Sequence, residues 1–410
     1  MPRPQSRGST VTNASSSRPQ RLSRPRNWRP SRWNGMRPTT SRCLSSARRP
    51  NWGWVPSTVP RTPGGSGLRR LDGVRIFEQL AYADPAVASF LSIHNMCAWM
   101  IDHYGTDEQR NKWVPRLATM ETIASYCLTE PGAGSDAAAL ATRAEREGDE
   151  YVLTGGQAVH LRCRVVGPVR GDGPHRRRRT QGHLHLPDRE GHSRTEFRCA
   201  GTQDGLHAQP TAQVILDEVR VPAANLLAET EGIGFGIAMN GLNGGRLNIA
   251  ASSLGGAQAA FDKAAAYVSS RRAFGNSLLD EPTIRFTLAD MATSLQTSRL
   301  MLWHAATALD DNAPPDKVEQ CAMAKRFVTD SCYDVADQAL QLHGGYGYLS
   351  EYGIEKIVRD LRVHRILEGD QRDHAGRPRP FDRVPLPGEL TRTRCNAMVF
   401  AGKHSREQRQ

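Results

Sequence analysis

Apolar residues along this chain keep three different rhythms. After Asp84-Pro85, residues 86–104 carry Val87, Phe90, Leu91, Ile93, Met96, Met100 and Ile101 at helical spacing. Thr106 stands as an N-cap before Asp107-Glu108, so a second helix is expected there. Residues 124–129 read as a short strand running into the Gly/Ser turn 130–136, and 151–155 as another strand and turn. Residues 214–216 and 219–222 read as the same sheet resuming. From 234 to 367 the period is helical, with breaks expected at the glycines of 241–245 and 344–347 and at Pro314-Pro315. Residues 287–310 place Leu288, Met291, Leu295, Leu302 and Ala306 on one face, and 318–342 repeat the pattern, which reads as an antiparallel bundle. Helices, then strands, then a bundle make an α+β class.

Charge complicates this picture. The net charge is +12 over 410 residues, but residues 1–70 hold 15 Arg and no Lys, Asp or Glu. Residues 157–206 hold 10 Arg against 5 acids, and 370–410 hold 9 basic against 5 acidic residues. Those three stretches sum to +24, so the rest of the chain is −12. Mean hydropathy, −0.54, is low for a compact enzyme of this length. No apolar run approaches the roughly 18 residues of a membrane helix. The eight Cys include no C-x-x-C pair, and Cys43, Cys163, Cys199 and Cys395 sit in the basic pieces. That argues against a disulfide framework or zinc ribbon and fits a reducing compartment. The acid-free, Arg- and Ser-rich start suits a mitochondrial transit peptide, whereas its prolines and Trp28, Trp33, Trp52 and Trp54 do not.

Several long motifs then stand in order: SIHNMCAWMIDHYGTDEQR (92–110), YCLTEPGAGSD (126–136), GLNGGRLNIA (241–250), FTLADMA (286–292), LQLHGGYGYL (340–349) and RDLRVHRILEG (359–369). Over about 71–156 and 207–369 the chain resembles the acyl-CoA dehydrogenase family, in particular members acting on short branched-chain acyl-CoA such as isobutyryl-CoA in valine catabolism. The resemblance implies a helical N-terminal domain, a middle β-domain and a C-terminal helical bundle. It also implies FAD as cofactor, oxidation of acyl-CoA between Cα and Cβ with hydride passing to flavin N5, and an electron-transfer flavoprotein as acceptor. A homotetramer is implied too, because a neighbouring subunit completes each FAD pocket in this family. Bacterial cytoplasm is the expected compartment, or mitochondrial matrix if the source is eukaryotic.

The chemistry needs a carboxylate base, a polarised thioester carbonyl and a fixed flavin. By the resemblance, Glu368 is the base, and its N–H is one donor to the thioester oxygen. Tyr126, Cys127, Leu128, Thr129, Gly134 and Ser135 correspond to the strand and turn that hold the flavin, with Ser135 also touching the CoA part. Asn243, Gly244, Gly245 and Arg246 correspond to the substrate-binding loop. Arg271 corresponds to an Arg pairing with the FAD pyrophosphate of a neighbouring subunit, and Gln341, His343, Gly344 and Gly345 to the second FAD-contacting loop. Pro282 stands where many relatives carry a Gln that touches FAD.

The resemblance stops at the three basic stretches. Codons for 156–173 can be chosen so that skipping one base yields A-K-Q-F-I-S-G-A-G-S-S-D, the strand the family carries here. Residues 370–375 with one base skipped can give T-N-E-I-M-R, and 51–62 with two skipped E-L-G-L-G-A-I-Y-G-A-E-D-T. These pieces are therefore read as out-of-frame translation of a GC-rich gene. The layout becomes 1–63 out of frame, 64–125 the remnant of the helical domain, 126–232 the β-domain (157–206 out of frame), 233–369 the bundle and 370–410 an out-of-frame tail. The reading removes two other signals: Arg176 to Arg179 as a nucleic-acid patch, and His175, His183, His185, His192, Cys163 and Cys199 as a metal site. Neither nucleic acid, membrane nor metal is expected as a partner. A chain lacking this much core is expected to be an inactive relic of the enzyme.

Overall fold

A computed structural model describes residues 65–160, 164–171, 180–185, 195–197, 202–209, 211–311 and 315–369, with only the backbone of 158–197. Sequence readings on 1–63 and 370–410 lie outside these residues, as do the side chains proposed above for a metal or nucleic-acid patch. Three helices come first: α1 (Arg70–Ala83), α2 (Pro85–Tyr104) and α3 (Asp107–Ala118). The periodicity had not marked α1. Its N-terminus is held by Asp310, whose carboxylate accepts from the N–H groups of Arg70 (2.6 Å) and Leu71 (3.1 Å), so an anion meets the positive end of the helix dipole. Asp84 caps α2 by accepting from Ala86 and Val87, with Pro85 in the first turn. Thr106 and Gln109 form the reciprocal capping box of α3.

A sheet follows. Its strands among the described residues are β1 (Ala124–Tyr126), β2 (Arg143–Glu147), β3 (Glu150–His160), β4 (Arg164–Gly171), β5 (Thr180–His185), β6 (Thr195–Phe197) and β7 (Ala212–Pro222). The order is β1-β4-β2-β3-β7-β6, with β5 on β4; β4 runs parallel to β1 and β2, and the other pairs are antiparallel. The strand expected over 124–129 stops at Tyr126. The two short segments expected over 214–222 are one strand, with an irregular register opposite Leu153/Gly155 where Glu218 takes φ 48°. β3 continues past Gly155 to His160, farther than 151–155.

The bundle consists of α4 (Gly234–Ser270), α5 (Pro282–Asp311), α6 (Lys317–His343) and α7 (Ile354–Arg362). The break expected at 241–245 is absent, because α4 runs straight through these glycines. They serve close approach instead: a Cβ at Gly241 would press on Met100 Sδ at 2.8 Å, and one at Gly255 would collide with the Glu78 carbonyl of α1. At the other expected break, α6 does end at His343, and Gly344 turns the chain with φ 57°. Pro314 is outside the described residues. On α5, Met291, Leu295, Leu302 and Ala306 are buried as the pattern requires, while Leu288 is half-buried. They meet Leu247 and Leu254 of α4, Val74 and Phe77 of α1 and Val328 of α6 in one core.

Candidate active site

His364 sets the approach to Glu368. The ring lies fully buried, with Nε2 3.0 Å from Ser89 Oγ on α2 and Nδ1 2.8 Å from Ser253 Oγ on α4. Burial pushes its imidazole down to about 3, so it is neutral there. The short turn Val363–Arg365 is thereby pinned to both helices. Four residues past His364, Glu368 takes φ 58°, an uncommon left-handed conformation for a side chain of this kind.

That conformation lays the carboxylate on α4. A Cβ at Gly245 would stand 2.5 Å from Glu368 Oε2, so any larger residue would push the carboxylate aside. Arg246 donates from Nε to the Glu368 carbonyl at 3.3 Å and from Nη1 to Asn243 Oδ1 at 3.0 Å. Oε2 is buried and has no hydrogen-bond partner among the described residues. Burial raises the carboxyl to about 7, against the opposing pull of Arg246 and Lys325. A carboxylate poised near neutral pH can accept a proton from carbon. Asn243 to Arg246 were expected on a loop; they sit inside a helix, and the two glycines open its surface.

β1 supplies the opposite wall. By strand alternation Tyr126 packs with Cys97, Met100 and Leu242 on the helical side. Cys127, just past the strand, turns into the sheet core with Leu153, Val214 and Val221, leaving its backbone for any ligand. Tyr126 and Cys97 both lie within electrostatic range of Glu368. Leu128 and Thr129 are half-buried, and Gly134 and Ser135 are exposed on the following turn. This turn is tied down from beneath. The buried Glu130 carboxylate accepts from Ala141 N–H (2.7 Å), Thr142 N–H (3.0 Å) and Gln157 Nε2 (2.9 Å). A half-buried edge followed by an exposed, anchored turn fits a flavin and its polar oxygens.

The remaining expected residues gather elsewhere. Arg271, Gln341, His343, Gly344 and Gly345 line a cleft of about 460 Å³ with Tyr267 and Tyr346. Arg271 is exposed and lies 5.6 Å from the Tyr346 ring centroid, a cation suited to a phosphate. The His343 ring is buried; Nδ1 contacts the Ala339 carbonyl at 2.7 Å and the ring stacks on Tyr267, which makes it a packing group beneath the cleft. Arg271, the residue just past the end of α4, is 26 positions from Gly245, about 39 Å at the helical rise. Within one chain the Arg271 cleft therefore lies far from Gly245 and the Glu368 carboxylate.

Two cations of the site escaped the sequence reading. Arg70 had been grouped with the basic N-terminal piece, yet it is buried on α1, and a Cβ at Gly244 would lie 2.8 Å from its Nη2. Lys325, fully buried on α6, donates from Nζ to the Gly369 carbonyl at 2.6 Å. Its signal was a lysine on the buried stripe of α6, next to Ala324 and four residues from Cys321. Among the described residues no His/Cys/Asp/Glu group could hold a metal ion, and no helix is long and apolar enough to cross a membrane.

Comparisons with known proteins agree with this geometry. The family models for the acyl-CoA dehydrogenase N-terminal and C-terminal domains match residues 49–121 and 232–374, the first beginning inside the stretch read as out of frame. Isobutyryl-CoA dehydrogenase, mitochondrial, from Dictyostelium discoideum is 47% identical over 315 residues, covering 75% of this chain and 73% of that protein. The Bos taurus protein of the same name is 46% identical over 316 residues with the same coverage. Butyryl-CoA dehydrogenase from Megasphaera elsdenii superposes with a TM-score of 0.74 at 31% identity, over 79% of this chain and 85% of that one. A Mycobacterium smegmatis glutaryl-CoA dehydrogenase solved in complex with FADH2 gives 0.73 at 25%, over 79% and 82%. With a helical layer, a sheet and a bundle, and with relatives this similar over three quarters of its length, the chain belongs to the acyl-CoA dehydrogenase family, enzymes that use FAD to oxidise the CH–CH bond of an acyl-CoA.

Proposed function

We propose that the chain dehydrogenates isobutyryl-CoA or a close short branched-chain acyl-CoA, with Glu368 as the base. The carrying observation is the Glu368 carboxylate: buried on the bare surface of Gly245, unpartnered at Oε2 and raised to about 7. Ionised Glu368 removes the α-proton of the thioester, and the Glu368 N–H steadies the thioester oxygen as it gains charge. Gly244 and Gly245 make room for Arg70 and for the Glu368 carboxylate beside the acyl group, Asn243 and Arg246 hold the wall around it, and Ser135 meets the CoA arm. FAD, when bound, accepts the hydride from Cβ. Tyr126, Cys127, Leu128, Thr129 and Gly134 hold it on one side. Arg271, Gln341, Gly344 and Gly345 of a neighbouring copy, with His343 packed beneath them, hold it on the other, which the roughly 39 Å between Gly245 and Arg271 along one chain supports. That arrangement requires an oligomer, read here as a homotetramer. An electron-transfer flavoprotein takes the electrons onward. The compartment is bacterial cytoplasm, or mitochondrial matrix in a eukaryote, the address carried in the names of the two relatives above.

The three-part layout with out-of-frame pieces at 1–63, 157–206 and 370–410 is part of the same proposal, and its charge imbalance favours a second reading: an inactive relic. One experiment separates them. The purified full chain should be yellow and lose its flavin colour on anaerobic addition of isobutyryl-CoA. A colourless protein that takes up no added FAD would establish the relic.

A further inference from the structure

Lys325 lies on α6 at a position of the buried stripe, with no exposed surface, although an ammonium is among the costliest groups to bury. Its Nζ reaches across to the carbonyl of Gly369 at 2.6 Å. Glu368 and Gly369 both have positive φ, 58° and 100°, so the peptide that carries the base is held in a turn a glutamate rarely adopts alone. The lysine ties the far end of that turn, while Arg246 ties its near end through the Glu368 carbonyl. We propose that Lys325 is the positioning residue of Glu368, clamping the Glu368–Gly369 turn so that the carboxylate faces Gly245.

The inference rests on Glu368 as the base, though the clamp can be tested without turnover. The groups facing the carboxylate are Arg246 from α4, Lys325 from α6, Cys97 from α2 and Tyr126 from β1. Of these, Arg246 and Lys325 are the cations that favour its ionised form. Removing the ammonium while keeping the stem should therefore make Glu368 harder to ionise. Replacing it with another cation should not.

The test is infrared titration of the full chain, using the protonated-carboxyl band that disappears in Glu368→Gln. In Lys325→Met the midpoint should rise clearly above that of the parent, and in Lys325→Arg it should stay near that of the parent. If Lys325→Met does not fold by circular dichroism, Lys325→Leu, which likewise removes both the donor and the charge, is titrated instead with the same expected rise. A midpoint unmoved in a folded Met or Leu variant overturns the clamp. Failure of the base reading would appear separately, as turnover retained in Glu368→Gln.

Discussion

Gly245 and Glu368 are fitted to each other: a single methyl group on the glycine would come within 2.5 Å of the carboxylate oxygen. Helix α4 would accept an alanine at 245 readily, since alanine is the better helix former. The cost should thus fall on the carboxylate. Gly245→Ala is expected to lower kcat on the order of 100-fold, the effect of misplacing a reacting group by about 1 Å, with thermal unfolding of the FAD-loaded protein nearly unchanged. Steady-state kinetics and a melting curve check both halves.

Titration of Glu368 should govern both activity and stability with opposite signs. Its folded-state value, about 7, lies above the ordinary 4.5 because burial penalises the charge. The stability this confers is present below about 4.5 and is lost as pH rises through about 7, with an upper size of about 3 kcal/mol. Activity should rise over the same range as the base ionises. Urea unfolding should show Glu368→Gln gaining on the parent between pH 5 and pH 8, and the parent's kcat/KM should climb with a midpoint near 7. Equal pH slopes for parent and variant would contradict the assignment.

Glu130 should matter for the flavin without touching the reaction. Its buried carboxylate takes three donors from the strand and turn behind Leu128–Ser135. Glu130→Ala strands those donors and should cost about 3 kcal/mol, with FAD lost more readily on dilution. Flavin fluorescence of the filtrate after ultrafiltration measures that loss.

The bundle face can be checked by a matched pair. Leu302 is fully buried on α5, whereas Leu300 is more than half exposed two positions earlier. Leu302→Ala should cost about 3 kcal/mol through the cavity it leaves, and Leu300→Ala less than about 0.5 kcal/mol. Denaturant midpoints at constant m-value read the difference.

Most of the fold was legible where one periodicity ran without interruption. The apolar stripes of α2, α5 and α6, the cap at Thr106 and the turn at Gly344 all carried their own local cause. Gly241 to Gly245 misled because glycine signals both a broken helix and a closely approached one, and only the partners, Met100 and Glu368, decide between them. Helix α1 was hidden since its first turn is stabilised from 240 residues away, by Asp310. In the candidate site, Glu368 was legible through its motif, whereas its setting was not. Arg70 looked like part of a basic tail, and Lys325 like a blemish on an apolar stripe, until tertiary contacts brought the first to Gly244 and the second to the Glu368–Gly369 turn.

Bleaching of the bound flavin by isobutyryl-CoA, compared between the parent and Glu368→Gln under anaerobic stopped flow, tests the central claim most directly. The parent should bleach rapidly, while the variant should keep its colour and bleach slower by a factor on the order of 10⁴. Bleaching of Glu368→Gln at the parental rate would remove Glu368 from the role of base.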